Sequence, residues 1–158
     1  MAKLFFLSLL FAATPAFAAD WGWQRIAMHP PGGAYIQVNY RVTCELTPNG
    51  QKLTVPELWI EGDQAGIRPG QTPRVVFLTK DNGSGKVLAV QEIDLVYRGG
   101  NHATAAYPSA YPFNPINTSE ELALVLGGVW QKDSENGNTN FKFSLFATIT
   151  DLAERPCD

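Results

Sequence analysis

Apolar and polar side chains alternate most regularly from Tyr35 to Leu46. Ile36, Val38, Tyr40, Val42, Cys44 and Leu46 fall on one parity, and Gln37, Asn39, Arg41, Thr43 and Glu45 on the other. That period of two predicts a strand with one buried face. Phe141 to Thr150 repeats the pattern, with Phe141, Phe143, Leu145, Ala147 and Ile149 on one side. Leu53 to Glu61 is a weaker strand interrupted by Pro56, which has no N–H to give a ladder and so marks either an edge strand or a bulge. Pro73 to Lys80 holds the run Val75, Val76, Phe77, Leu78, suited to a strand covered on both faces. Lys86 to Tyr97 is expected to turn Val87, Ala89, Ile93, Leu95 and Tyr97 inward. Trp21 to Met28 makes an additional strand, with Trp21 and Trp23 on one face.

Thr118 to Gly128 reads in two ways. Thr118 and Glu121 have capping-box spacing and could open a short helix; Leu122, Leu124 and Leu126 could instead lie along a strand with a glycine bulge before Val129 and Trp130. The strand is favoured, because a helix of about seven residues is marginal on its own. Asn49-Gly50, Asp81 to Gly85 and Asn136-Gly137 punctuate the strands, and Asn-Gly supplies the positive φ that tight hairpin turns need.

About six to eight strands without a convincing amphipathic helix predict an all-β fold, an antiparallel β-sandwich of broadly immunoglobulin-like type. One connection is long and irregular, Arg98 to Glu120. If every other connection reverses the chain, the strands at 35–46 and 141–150 point in opposite directions. The expectation is that the 98–120 stretch crosses from pole to pole, or contains one short extra strand, and so brings Cys44 and Cys157 to one end.

The N-terminus fits this body to a compartment. Lys3, the apolar run Leu4 to Ala13 and the triplet Ala16-Phe17-Ala18 have the form of a signal peptide cleaved after Ala18, leaving 19–158 as one periplasmic or secreted domain. The run is too short to span a bilayer as a helix, so no transmembrane segment is expected. In an oxidising compartment Cys44 and Cys157 are expected to pair. The loop closed is roughly 110 residues, and in the chain-entropy treatment it removes about 4 to 5 kcal/mol of denatured-state freedom. The formal net charge is −3, with 12 basic residues scattered singly, which argues against nucleic acid and anionic membrane as partners.

Candidate chemistry is sparse. His29 and His102 are the only histidines and lie in no ligand-spaced motif. Asp133 to Gly137 lacks the ligand ladder of a calcium loop, and Gly83 to Lys86 falls in a hairpin, without the helix N-terminus of a phosphate cradle. No metal or cofactor is expected, and no catalytic residue is assigned. The 98–120 segment stands out, since it carries His102, Tyr107, Tyr111 and Phe113 with Pro108, Pro112 and Pro115 between them. Tyrosines on a stiffened loop suit recognition of a protein or a carbohydrate; alternatively these rings cap one open end of the sandwich. The expected function is non-catalytic binding of a protein or carbohydrate partner through this loop. A secreted hydrolase with a carboxylate or histidine site is one alternative. An architectural subunit of an envelope assembly is another, and it requires an unpaired, uncharged edge strand and an exposed apolar patch.

Overall fold

A computed structural model of the chain describes residues 18–28, 35–48, 50–62, 72–99, 103–109, 112–119, 121–132, 139–149 and 157. Residues 1–17 of the expected N-terminal leader, His29, His102 and Tyr111 lie outside the described residues. The described residues form ten strands: β1 (Ala18–Met28), β2 (Ile36–Thr47), β3 (Gly50–Gly62), β4 (Thr72–Asp81), β5 (Val87–Asp94), β6 (Val96–Gly99), β7 (Ala103–Ala106), β8 (Ile116–Thr118), β9 (Leu122–Lys132) and β10 (Thr139–Thr148).

The strands form two antiparallel sheets that pack together as a β-sandwich. One sheet has the order β1-β2-β3-β7-β6, with β8 also on β3; the other has the order β10-β9-β4-β5. This strand order carries no assignment to the immunoglobulin type. The alternation of β2 is carried into the core, where Ile36, Val38, Val42 and Cys44 are buried with Leu53, Val55 and Ile60 of β3, Val75 and Phe77 of β4, and Leu124, Leu126 and Val129 of β9. Thr118 to Gly128 is β8 followed by β9, and the register of β4 on β9 slips between Val76/Gly128 and Phe77/Leu126, which leaves Gly127 as the bulged residue. A Cβ on Gly127 would stand 2.9 Å from Leu78 Cδ1, so a larger residue there would make the Leu78 side chain shift.

One open choice is decided and two expectations are corrected. First, of the edge strand and the bulge that Pro56 allowed, the chain has the bulge. β3 lies between β2 and the β7/β8 pair, and its register on β2 slips between Arg41/Glu57 and Thr43/Thr54. On the other side β8 covers 51–53 and β7 covers 59–62. Pro56, which cannot donate, therefore sits at a bulge and in a gap between neighbours.

Second, Trp21 and Trp23 do not share a face. The β1–β2 register jumps from Asp20/Thr43 to Gly22/Val42, and Gly22 has φ +72°. The extra residue turns Trp21 against the core, whereas Trp23 is 54% exposed.

Third, 86–97 is not one evenly alternating strand. β5 belongs to the four-stranded sheet, β6 to the six-stranded one, and Leu95 makes the passage with its N–H on the Pro73 carbonyl at 2.7 Å. Ile93 and Leu95 are buried as expected. Val87 and Ala89 are exposed: the register on β4 skips Leu88 between Lys80/Val87 and Thr79/Ala89, which turns Val87 to the outer face, while Ala89 keeps the Ile93 face near the open end of the strand.

The 98–120 segment contains two short strands. β7 pairs with the C-terminal end of β3 and β8 with its N-terminal end, both antiparallel. The chain thus travels the length of β3 from one pole to the other. Cys44 faces Leu53 at the second pole and is joined to Cys157, with Cα atoms 5.4 Å apart and both residues buried.

Candidate functional site

Between β7 and β8 the chain leaves the sheet and enters the sandwich. The Tyr107 N–H still reaches the Leu58 carbonyl at 3.2 Å, a last bond to β3. Phe113 then meets Phe77 of β4 edge to face, with ring centroids 5.1 Å apart, a favoured aromatic geometry. Tyr107 is 9% exposed and Phe113 2%. Among the described candidate rings, both are spent on packing between the sheets. They fix the path of the segment and offer no surface to a partner. Gln91 of β5 fastens the same segment from the rim: its Nε2 donates to the Asn114 carbonyl and its Oε1 accepts the Asn114 N–H, each at 2.9 Å.

The exposed apolar area lies elsewhere, on the strand that Gln91 belongs to. β5 ends the four-stranded sheet, and its one strand neighbour among the described residues is β4. Leu88 is 51% exposed and Val90 53%; Val87 and Val96 are also exposed. Val90 stands opposite Leu78, which stands opposite Val125, so an apolar row continues inward across the sheet. Edge strands are ordinarily protected by charge, by proline or by a bulge. Here charge protects only the far half: Arg74 reaches Asp94 at 2.5 Å and Glu92 at 2.7 Å. The hydrogen bond to Asp94, and secondarily the neighbouring charges of Asp94 and Glu92, raise the Arg74 pKa against some desolvation. The run Val87 to Val90 has only the slip at Leu88.

A tight turn enters this strand. Asp81 accepts the backbone N–H and the hydroxyl of Ser84 on one carboxylate oxygen, at 2.6 and 2.7 Å. Those bonds hold its pKa below the usual carboxylate value. The Gly85 N–H returns to the Asp81 carbonyl at 2.8 Å, with Gly85 at φ +69°.

The outer face of the six-stranded sheet is different in kind. Cross-strand partners share a face, which sets Trp23, Arg41 and Glu57 in one row and Arg25, Asn39 and Trp59 in the next. Tyr35 donates to Gln37 at 2.5 Å and Gln37 to Asn39 at 3.0 Å, a row of buried amides down the middle strand. Arg41 bridges Asp20 and Glu57. Its hydrogen bond, with help from the Gly22 N–H, lowers the Asp20 pKa. Among the described residues no three His, Cys, Asp or Glu side chains gather as a metal site, and no helix is long and apolar enough to cross a membrane.

No protein-family model, curated protein or solved structure matches this chain. The expected inward set of Val87, Ala89, Ile93, Leu95 and Tyr97 left Leu88 and Val90 on the outer face but did not single them out. The signal was present: Val87-Leu88-Ala89-Val90 is an unbroken apolar run, which cannot hide on one face of a half-buried strand.

Proposed function

We propose that this chain is an exported, non-catalytic protein-binding domain whose contact surface is centred on β5. The observation that carries the reading is the exposure of Leu88 and Val90 on a strand with one neighbour among the described residues. An open edge offers backbone hydrogen bonds to an incoming strand, and alternate side chains supply selectivity. The buried disulfide fits an oxidising compartment. The 98–120 segment acts from beneath, since Phe113 and Asn114 support the inner side of β5's sheet. This reading brings the function close to that of an architectural subunit, which needs the kind of apolar edge seen here.

A photo-activated cross-linking residue at Val90, compared with one at Thr54 on the other sheet, tests it in the native host. A protein adduct at Val90 that is absent at Thr54 and lost with Leu88→Lys supports the β5 surface. Equal labelling at the two positions removes it.

Carbohydrate recognition is the second reading, favoured by the exposed Trp23 in one row with Arg41 and Glu57 on the outer face of the six-stranded sheet. Quenching of tryptophan fluorescence by an oligosaccharide, abolished by Trp23→Ala, is its expected signature.

A further inference from the structure

Two tryptophans stand at opposite corners of one patch on the outer face of β1, β2 and β3. Cross-strand partners share a face, and so do residues two apart on one strand. Trp23, Arg41 and Glu57 therefore lie in the row beside Arg25, Asn39 and Trp59, a block three strands wide. With strands about 4.8 Å apart and about 6.8 Å per two residues, the two tryptophan positions are about 12 Å from each other along the diagonal. Trp23, Arg25 and Glu57 are exposed, and Trp59 is partly exposed.

We infer that this block binds a neutral, extended oligosaccharide laid along that diagonal, with one sugar on Trp23, another on Trp59, and Asn39 donating to a hydroxyl between them. The inference rests on the carbohydrate reading and adds the class of sugar, the second ring and the direction of the chain.

Asn39 supplies the observation that points to a ligand. It is 7% exposed, its Oδ1 accepts from Gln37 at 3.0 Å, and its Nδ2 is buried with no hydrogen-bond partner among the described residues. A buried donor left unpaired is costly and rare in a native protein. The bonds that run down β2 from Tyr35 through Gln37 end on this residue, which stands opposite Trp59 and two positions from Arg41, the partner of Trp23. A sugar hydroxyl oxygen is the acceptor that the Nδ2 group lacks.

Charge selects a neutral sugar. Arg41 bridges Asp20 and Glu57, and with Arg25 the patch holds two cations and two anions. The whole chain carries a formal charge of −3. An acidic polymer gains no net attraction from such a surface, whereas the hydroxyls of a neutral chain can use both the guanidinium donors and the carboxylate acceptors. Indoles add large apolar faces that a sugar ring can cover. An extended peptide recognised through its backbone needs an open strand edge, and this block is centred on β2, which has β1 on one side and β3 on the other.

The intact processed protein tests this by titration with neutral gluco-, manno- and xylo-oligosaccharides of increasing length, with oligogalacturonate as the acidic comparison. In nuclear magnetic resonance the indole N–H signals of Trp23 and Trp59 and the side-chain NH2 signal of Asn39 are expected to shift together. The signal of Trp21, which packs against the core, stays in place. Affinity rises with chain length until both rings are covered and then levels. Trp23→Ala and Trp59→Ala each weaken binding of the longer chains about tenfold, the size of one ring contact. Trp59→Phe keeps a ring and stays within about threefold of the parent. Circular dichroism of each variant separates a lost contact from a lost fold, and the shifts in the unaltered protein need no variant.

Binding that moves Trp23 but leaves Trp59 and Asn39 unchanged, or that prefers oligogalacturonate, overturns the diagonal neutral site and leaves carbohydrate recognition at Trp23 standing. No shift with any of these sugars removes both.

Discussion

Gln91 and Asn114 hold each other through both ends of one side-chain amide, Nε2 on the Asn114 carbonyl and Oε1 on its N–H, each bond 2.9 Å long. The side chain does for the 112–115 segment what a neighbouring strand does in a sheet. It ties the irregular connection to the rim of the strand that carries the exposed apolar residues. Gln91→Ala leaves one backbone pair to water, since Asn114 is exposed, and is expected to cost about 1 kcal/mol. Hydrogen exchange of the Asn114 amide should accelerate while that of the β2 amides is unchanged; uniform protection would show that the clamp is dispensable.

Phe113 has a larger effect because it is 2% exposed against Phe77. Phe113→Ala removes a buried ring and leaves a cavity, expected to destabilise by about 3 to 5 kcal/mol. Urea unfolding should show the shift in midpoint. A change below about 1 kcal/mol would mean that the 107–115 segment is not seated between the sheets.

The Cys44–Cys157 bond spans a sequence separation of 113 and is buried at both ends. Replacing both cysteines by serine is expected to cost up to about 5 kcal/mol, offset by any strain released. Thiol reagents should label neither sulfur in the native oxidised protein and both after unfolding and reduction. Release of one free thiol on unfolding alone would contradict the pairing.

Gly50 and Gly22 both have positive φ, +120° and +72°, but differ in surroundings. A Cβ on Gly50 would lie 2.7 Å from the Thr118 carbonyl oxygen, whereas one on Gly22 meets nothing within 4 Å. Gly22→Ala carries only the backbone penalty, about 1 to 2 kcal/mol. Gly50→Ala adds a backbone clash between β3 and β8 and should be the more destabilising of the two in thermal unfolding.

Asp81 has a folded pKa below its unfolded value of 3.8 because Ser84 donates to its carboxylate. The linked stabilisation is fully present above the unfolded pKa and is lost as pH falls through the folded one. Asp81→Asn is therefore expected to flatten the acid limb of the stability curve and leave its shape unchanged near pH 7. An unaltered acid limb would show that the turn does not contribute.

The strands that make up most of the two sheets follow from local pattern. β2 is legible because its alternation runs unbroken through Ile36, Val38, Tyr40, Val42 and Cys44, and β9 because Gly127 can be bulged while Leu124 and Leu126 stay in the core. Two cysteines allow one internal pair. The all-β class and the covalent link were therefore contained in the order of residues.

The tertiary structure decided what local pattern cannot. Slips of one residue at Gly22 and Leu88 reverse which side chains face inward, because the period of a strand is two and any insertion changes the face of all that follows. Burial of Tyr107 and Phe113 depends on a gap between two sheets, and that gap exists only once distant strands have assembled. The place of β5 at the end of the four-stranded sheet, among the described residues, likewise comes from the order of strands. That order is set by long-range pairing, which is why the exposed surface was fixed there and the strands themselves were set by their own residues.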